Sequence, residues 1–343
     1  MGRPRATGAL YNRGVSTVGE LGEFPLIARI AKAVERAGLA APTAGGFRLH
    51  LGIGDDAAAW SLASGVEIST TDTMVDGVHL TAQTMSWTDV GWKLWAANVS
   101  DVISMGATPL VGIVTLGIPA SLDVSAIDDL YAGMLEACAY YGTLLVGGDI
   151  VRTRETFVTV ALNGVCEGEV LRRDIARPGD VIGVSGALGG SNGGLLLLRA
   201  GGEAADALAS AHRRPTPRVA TGLALVTAGV TGAMDVSDGL VADLAKLCRA
   251  SGVGATLHAP DVPVAMALYE TFNDEDSLAC ALGGGEDYEV LFTGSREAVE
   301  RAVAQIGGAQ IIGEIVDDTA GRVRVLGADG VELEVSDAGW EHL

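Results

Sequence analysis

Apolar, β-branched runs alternate with segments of helical spacing through both halves of the chain, and this alternation leaves few folds open to it. Four runs in the first half have strand composition: VEISTTDTMV (66–75), LVGIVTLGI (110–118), TLLVGGDIV (143–151) and TFVTVALNGVC (156–166). The helical segments among them are FPLIARIAKAVERAG ending at Gly38, Trp87 to Met105, and a helix at about 123–141. After the Pro-Gly-Asp turn of RPGDVIGVSG (177–186), further strands are predicted at GATLHA, in GGGEDYEVLFT and near IIGEIV. This pattern predicts an α/β or α+β fold.

A chain of 343 residues is longer than one hydrophobic core usually supports, so two domains are expected. We predict an N-terminal domain at 21–167 and a C-terminal α/β domain at 168–343, preceded by a flexible extension at 1–20. The 48 glycines indicate many tight backbone turns, while 48% hydrophobic residues exclude a disordered chain.

The charge balance excludes several classes of partner. With 23 basic and 43 acidic residues the net charge is −20, which would repel nucleic acid and anionic lipid. The four cysteines form no CxxC pair and no zinc spacing, as expected for idle thiols in a reducing cytosol. The N-terminus lacks the apolar stretch of a signal peptide, and the uncharged segment 102–122 contains glycines and prolines that favour a buried strand over a membrane span. We therefore predict a soluble, cytoplasmic protein.

Acidic residues gather at five turns that contain glycine or follow a strand. The turns are LGIGDDAA with Asp55 and Asp56, STTDTMVDGVH with Asp72 and Asp76, VGGD with Asp149, DVSDGL with Asp235 and Asp238, and GGGED with Glu286 and Asp287. Glycine at such turns lets the backbone approach a ligand closely. Each turn also has a structural explanation, because Asp favours turns and either Asp235 or Ser237 could be the N-cap of the next helix.

Asp101 lies where an apolar residue is expected. On its helix Val90, Leu94, Ala97 and Asp101 form one stripe at helical spacing. A carboxylate there is costly unless a cation or a donor meets it, so Asp101 either caps or pairs with something local or belongs to a site. Together with the acidic turns it favours a site for several hard divalent cations, because aspartates brought together without cations would repel one another.

The motifs of several known cation and phosphate sites are missing. DVSDGL and DTMVDG lack the final glutamate of an EF-hand, with Lys246 and Gln83 in its place, and the chain has no GxxxxGK[ST] or GxGxxG motif. GALGGSNGG is predicted to be a glycine-rich loop before a helix at Leu195–Leu198, and it could hold phosphate or only turn the chain. His79 could contact a ligand or be structural. Aspartates, threonine hydroxyls and few bases fit metal-assisted phosphoryl transfer to an acceptor that is already ionised, so no general base is predicted.

Eight segments, in this order and at similar spacing, resemble thiamine-monophosphate kinases. They are GEFPLIARI, LGIGDDAA, STTDTMVDGVH, AANVSDVISMGATP, GGDIVRT, HRRPTPR, MDVSDGLVADL and GGGEDYEVLFT, and the resemblance runs from about Gly22 to the C-terminus. It implies ATP- and Mg²⁺-dependent phosphorylation of thiamine monophosphate to thiamine diphosphate, the last step in making that cofactor. It also implies the two-domain fold of aminoimidazole ribonucleotide synthetase, with ATP and Mg²⁺ bound by the N-terminal domain, and a homodimer whose N-terminal domains pair across β-strands.

The resemblance also assigns roles to residues by matching position. The positions that match metal-binding residues are Asp56, Thr70, Thr71, Asp72, Asp101, Asp149, Asp235 and Asp238. Those that match ATP contacts are Gly148, Asp149, Arg173 and Ser237, with Arg172 one step from Arg173. Those that match substrate contacts are His79 and Glu286, with Trp340 as the aromatic residue against the thiamine rings, although Asp337 stands where one relative has tryptophan.

Two other interpretations stay open. A sibling enzyme such as selenophosphate synthetase or a hydrogenase-maturation ATPase would share the fold, but selenophosphate synthetases use a Cys or selenocysteine in an N-terminal glycine-rich loop, and this chain has no cysteine before Cys138. A regulator that binds metal or nucleotide without turnover would keep the acidic turns, yet every matched metal position here retains its carboxylate or hydroxyl.

Overall fold

The computed structural model describes residues 17–201 and 206–335, and its elements are numbered here in chain order. The helices are α1 Val18–Leu21, α2 Glu23–Ala37, α3 Trp87–Ser104, α4 Val124–Tyr141, α5 Gly190–Arg199, α6 Asp206–Arg213, α7 Val219–Ala228, α8 Leu240–Ser251, α9 Asp274–Gly283 and α10 Arg296–Gln305. The strands are β1 Arg48–Leu51, β2 Ala59–Ser61, β3 Val66–Val75, β4 Thr108–Ile118, β5 Leu144–Arg152, β6 Phe157–Cys166, β7 Val181–Val184, β8 Gly232–Asp235, β9 Gly254–His258, β10 Val290–Gly294, β11 Gln310–Val316 and β12 Val323–Leu326.

The first half forms a four-stranded sheet in the order β3-β6-β4-β5. The pairs β3–β6 and β6–β4 are antiparallel, whereas β4 and β5 are parallel because α4 lies between them in the chain and makes the crossover. Alternate residues of β6, Val158, Val160 and Leu162, are fully buried in the core. The β1–β2 hairpin forms a separate small sheet whose neighbourhood includes Phe47 and Val146.

The second half forms a six-stranded sheet in the order β12-β9-β11-β7-β10-β8, in which β12 and β9 are parallel and the other pairs antiparallel. One apolar core continues across the two halves, since Val160 of β6 and Phe292 of β10 belong to the same buried cluster. A second core around Leu244 and Leu257 lies wholly in the second half. The mixed two-part architecture confirms the predicted α/β (α+β) class.

Helix α3 runs between the two halves and holds much of the structure together. It begins at Ser86, whose side chain and that of Asp89 form a capping box, so its predicted start is confirmed. The helix packs against β3 and β6 on one side and against α4, α7 and β8 on others, which buries nearly all of its residues. It is therefore apolar on almost every face rather than on one stripe, and Lys93, Asn98 and Asp101 are polar exceptions.

Several predicted boundaries need adjustment. GALGGSNGG was predicted as a loop before a helix at Leu195–Leu198, but α5 begins at Gly190, so half of that segment is helical. Residues 17–20 of the predicted extension lie largely in α1, where the N–H groups of Val18 and Gly19 donate to carbonyls near the start of α4. Segment 102–122 forms a helix end, a turn and β4, as predicted. None of the helices in the described ranges combines the length and apolar composition that a bilayer crossing needs.

Candidate functional site

The two halves of the chain enclose a cleft of about 1210 Å³ beside α3. Its acidic wall combines Asp72 of β3, Asp101 of α3 and Asp235 at the end of β8. Another wall is formed by residues of α5 and α9, among them Leu195 and Cys280, and is more apolar. A cleft between domains with a few convergent polar groups is the usual form of a ligand site.

The three carboxylates of the acidic wall repel one another. Burial raises the pKa of Asp72 to about 7, and the charge of Asp101 adds to the increase. Asp235 is 7% exposed, and its pKa is raised well above the ordinary value by burial and then by neighbouring carboxylates that include Asp101 and Asp72. When neighbouring carboxylates raise one another's pKa values in this way, a bound cation would stabilise their charged forms.

Asp101 is met by residues distant in the chain. Thr70, 31 residues earlier, donates its hydroxyl hydrogen to the carboxylate of Asp101. Burial raises the pKa of Asp101, whereas this bond and the charge of Arg173 lower it. Ser100 donates to Asp235 at 3.0 Å. The alternative that Asp101 only caps or pairs locally is therefore wrong, because its partners come from β3 and from the segment that joins the two halves.

The turn that precedes α8 is organised by a carboxylate from the helix itself. Asp243 accepts hydrogen bonds from the backbone N–H groups of Ser237, Asp238 and Gly239 at 2.9, 2.9 and 3.1 Å. Lys246 donates to Asp243 at 2.8 Å and also to Asp238. The N-cap position belongs to Gly239, so the explanation of this turn by a side-chain N-cap is wrong. Ser237 and Asp238 line the cleft.

The GGGED turn is built on two unusual backbone conformations. Glu286 and Tyr288 have φ angles of 64° and 53°, which place both residues in the left-handed region that L-residues rarely adopt. Between them, Asp287 accepts from the N–H groups of Gly189 and Ser191 at 2.7 and 3.1 Å. Burial raises the pKa of Asp287 to about 7. The backbone donors at the start of α5 thus bind a carboxylate, which favours the structural alternative for GALGGSNGG.

Two further predicted residues lie on the cleft. Thr71 lines it, and its hydroxyl donates to the carbonyl oxygen of Val160 at 3.0 Å. His79 also lines it, and its Nδ1 accepts the backbone N–H of Val75 at 3.2 Å. That bond places a ring proton on Nε2 in the neutral form.

Gly148 and Asp149 lie on β5, at the far edge of the four-stranded sheet from β3. In register across the strands, Thr73 of β3 pairs with Thr159, Thr159 with Thr115, and Thr115 with Asp149 of β5. Asp149 is thus three strand spacings from β3, about 14 Å along the sheet. The loop that carries Asp56 lies near this edge strand, since a methyl group on Gly147 would lie 3.7 Å from the side chain of Ala58.

The structure therefore divides the predicted residues into two groups. The cleft group is Thr71, Asp72, His79, Asp101, Asp235, Ser237, Asp238 and Glu286. The edge group is Asp56, Gly148 and Asp149, which do not line the cleft. Thr70 and Arg173 act on the cleft group through Asp101, and Trp340 lies outside the described residues.

The donors of the cleft suit a hard cation. In residues 17–201 and 206–335 no three His, Cys, Asp or Glu side chains form a ready-made metal cage. Mg²⁺ does not need one, because it commonly takes one or two carboxylates and completes its shell with water and substrate phosphates. Burial and neighbouring carboxylates raise the pKa of Asp72 and of Asp235 and so disfavour their charged forms, and a bound Mg²⁺ would offset this cost; the residues present therefore fit Mg²⁺.

Two residues that touch the cleft group carry no sequence-based prediction. Lys93 of α3 is completely buried and contacts Glu286, and His212 of α6 is 1% exposed and lines the cleft. A lone lysine in an apolar helix is the same kind of signal as Asp101 and could have been noticed. His212 lies in the HRRPTPR segment, where nothing local distinguishes it from a surface residue.

The raised pKa of Asp72 predicts that the metal-free protein loses stability as the pH rises. The carboxyl titrates near 4 in an unfolded chain and at about 7 in the folded protein, so between these values the folded state binds more protons. Its unfolding free energy should fall across this window, by at most about 1.4 kcal/mol per pH unit from this group. Urea unfolding in EDTA would measure it.

Asp72→Asn is the control for that measurement, because other buried groups such as Asp287 and His212 also titrate. The stability of the variant relative to the wild type should increase from pH 4 to pH 7 and then level off. A difference that does not change with pH would contradict the elevated pKa.

Comparison with known proteins defines the class first. Residues 54–170 match the family model of the AIR synthase related protein, N-terminal domain, and residues 177–326 match that of its C-terminal domain. Thiamine-monophosphate kinase of Aquifex aeolicus is 36% identical over 284 residues, which cover 81% of this chain and 87% of that protein. The chain belongs to the thiamine-monophosphate kinase family within this class.

Two solved structures support the same assignment. The crystal structure of thiamine-monophosphate kinase from Stenotrophomonas maltophilia has a TM-score of 0.75 and 35% sequence identity to this chain. The match covers 92% of this chain and 98% of that protein's chain. AaThiL complexed with AMPPCP and TMP has a TM-score of 0.73 and 34% sequence identity to this chain. The match covers 94% of this chain and 98% of that protein's chain.

Proposed function

We propose that this protein uses ATP and Mg²⁺ to phosphorylate thiamine monophosphate to thiamine diphosphate, the last step in making that cofactor. The observation that carries the proposal is the group of Asp72, Asp101 and Asp235, three mutually repelling carboxylates on one wall of the cleft between the two halves. Membership of the kinase family and likeness to a relative complexed with AMPPCP and TMP support it. Four unpaired, buried cysteines fit a cytosolic location.

The chemistry needs positioning and charge neutralisation more than proton transfer. An oxygen of the substrate phosphate, already ionised near neutral pH, forms a bond to the γ-phosphorus of ATP. The bond from that phosphorus to the β,γ-bridging oxygen breaks, and ADP leaves with the electron pair. Asp72, Asp101 and Asp235 would hold Mg²⁺, which when bound neutralises phosphate charge. No side chain of the cleft is required as a general base.

The remaining cleft residues bind and orient the two substrates in this proposal. Ser237 and Arg173 would contact ATP, and Asp238, held by Lys246, would join the metal set near the phosphates. His79 and Glu286 would contact thiamine monophosphate. All but Arg173 line the cleft, and Arg173 acts on Asp101 by its charge.

The edge group supports a homodimer. Asp149 cannot reach Asp72 across three strand spacings, about 14 Å. In the described residues β3 and β5 have no neighbour on their outer sides, and Val66, Ile113 and Val151 are apolar residues of this sheet with 53%, 38% and 38% exposure. Twofold pairing of β5 of one copy with β3 of another would cover them and bring Asp149, with Gly148 and Asp56, to the other copy's Asp72.

Complementation between two inactive variants tests this arrangement. Asp72→Asn and Asp149→Asn should each be inactive alone. A mixed dimer would have one site with both substitutions and one with neither, so random 1:1 reassociation should restore about a quarter of wild-type activity. Activity is measured after the two variants are unfolded and refolded together. If Asp149 acted within its own copy, every site in the mixture would carry one substitution and no activity would return.

A single incubation tests the overall reaction. Purified protein is mixed with ATP, Mg²⁺ and thiamine monophosphate, and chromatography follows thiamine diphosphate, with free thiamine and aminoimidazole precursors as alternative acceptors. We expect thiamine diphosphate only when ATP and Mg²⁺ are both present. If the protein binds ATP and phosphorylates another acceptor but not thiamine monophosphate, the proposal is contradicted and a sibling enzyme is favoured. If it binds ATP and phosphorylates no acceptor, the regulator is favoured.

A further inference from the structure

Lys93 is a lysine entirely removed from water in the middle of α3. Its Nζ lies 2.8 Å from Oε2 of Glu286, 193 residues later in the chain, and 3.3 Å from Nδ1 of His212. Burial lowers the pKa of Lys93, and the carboxylate of Glu286 opposes this change by supplying an anion that favours the ammonium form. The pair therefore connects α3, the most buried helix in the described residues, to a residue that lines the cleft.

His212 has a defined tautomer in this arrangement. Its Nδ1 lies 3.3 Å from Nζ of Lys93 and 3.3 Å from the hydroxyl oxygen of Ser191. An ammonium group can only donate, so Nδ1 accepts and carries no proton. Burial, followed by the charge of Lys93, lowers the pKa of His212 to about 2, so the ring is neutral and its proton lies on Nε2. Nε2 is buried and has no hydrogen-bond partner in the described part of the chain.

Glu286 is held at one oxygen and presents the rest of its carboxylate to the cleft. The contacts with Lys93 and with His212, the latter at 3.6 Å, both use Oε2. The side chain is 30% exposed, and the backbone is fixed in the left-handed region at φ 64°. A carboxylate fixed in this way is a pre-organised acceptor for a cationic or amino group of a ligand.

We propose that Lys93, with His212 behind it, is a positioning residue that sets the specificity of the cleft for its acceptor substrate by fixing the carboxylate of Glu286. The group so recognised is a cationic or amino-bearing heteroaromatic ring, and the inference rests on the proposed function. His212 stays neutral behind Lys93, with Nδ1 as the acceptor and its proton on Nε2. The phosphates of ATP, which the proposed function places at the acidic wall with Mg²⁺, are not recognised by this group.

A double-mutant cycle measured by calorimetry tests the proposal. Thiamine monophosphate and a non-hydrolysable ATP analogue are titrated separately into the wild type, Lys93→Met, Glu286→Gln and the double variant. Lys93→Met should raise the Kd of thiamine monophosphate by roughly tenfold or more, as expected when a charge-assisted contact is lost. The Kd of the ATP analogue should stay within about twofold, and the double variant should bind thiamine monophosphate within about twofold of Glu286→Gln.

A merely structural Lys93 would give a different pattern. Both ligands would then bind more weakly in Lys93→Met, or the two substitutions would act additively on the Kd of thiamine monophosphate, and either result would overturn the proposal. Circular dichroism of each variant accompanies the titrations to establish that it is folded.

If Lys93→Met does not fold, the wild-type protein still allows a decisive measurement. Nitrogen-15 NMR at pH 7.5, with the His212 signals assigned by loss in His212→Asn, should show a neutral ring protonated on Nε2, with shifts that change when thiamine monophosphate is added. A ring protonated on Nδ1 would overturn the proposal. Wild-type protein that binds the ATP analogue but not thiamine monophosphate would contradict the proposed function instead. The tautomer of His212 would still show whether its Nδ1 accepts a hydrogen bond from Lys93.

Discussion

Asp72→Asn should lower kcat by roughly a hundredfold to a thousandfold, the range found when a group that stabilises transition-state charge is removed. Asp72 lies on the acidic wall together with Asp101 and Asp235, and its elevated pKa reflects burial and the charge of Asp101. An amide keeps the shape of the side chain but offers one neutral oxygen instead of a carboxylate to Mg²⁺. Turnover of ATP and thiamine monophosphate in saturating Mg²⁺ measures the effect.

Asp76→Asn is the matched control, because Asp76 follows the same strand four residues later, is exposed and does not line the cleft. It should retain nearly all activity. The metal-free Asp72→Asn protein should also be at least as stable as the wild type above pH 7, since the substitution removes a repelling charge. Near-wild-type turnover of Asp72→Asn would exclude Asp72 from the metal-binding set.

Gly133→Ala should lower the free energy of unfolding by about 3 kcal/mol, at the upper end of the usual cost of overpacking. Gly133 of α4 and Gly91 of α3 let these two helices touch, because a methyl group on Gly133 would overlap the carbonyl oxygen of Thr88 and one on Gly91 would overlap that of Leu130. Backbone atoms cannot rotate away as a side chain can, so the helices would have to separate. Chemical denaturation followed by circular dichroism measures the change.

The predicted loss of stability in Gly133→Ala is opposite in sign to the effect expected from helix propensity. By intrinsic propensity alone, Ala inside a helix stabilises by about 1 kcal/mol relative to Gly. Gly307→Ala is the control, because no atom lies within 4 Å of the methyl group it would add. It should leave the unfolding free energy almost unchanged. A neutral or stabilising Gly133→Ala would show that α3 and α4 are not packed as closely as described.

Local sequence was enough to predict most of the secondary structure of the first half. The predicted strand at 66–75 and the predicted helix beginning at Trp87 match β3 and α3, because strand composition and helical spacing are properties of neighbouring residues. The start of α5 was predicted too late, since GGSNGG has poor helix propensity and tertiary packing against α6 and α9 decides its conformation.

The chemistry of the site was also readable from sequence, because Asp101 on an apolar helix and repeated Gly-Asp turns are local signals of a ligand site. Which of these residues meet was decided only by the fold. Strand order places Asp149 at the far edge of the sheet from Asp72, and no spacing along the chain contains that information. The partners of Lys93 likewise lie 119 and 193 residues away. A buried charge is tolerated only where such distant groups converge on it, so sequence showed which side chains needed partners and tertiary structure alone supplied them.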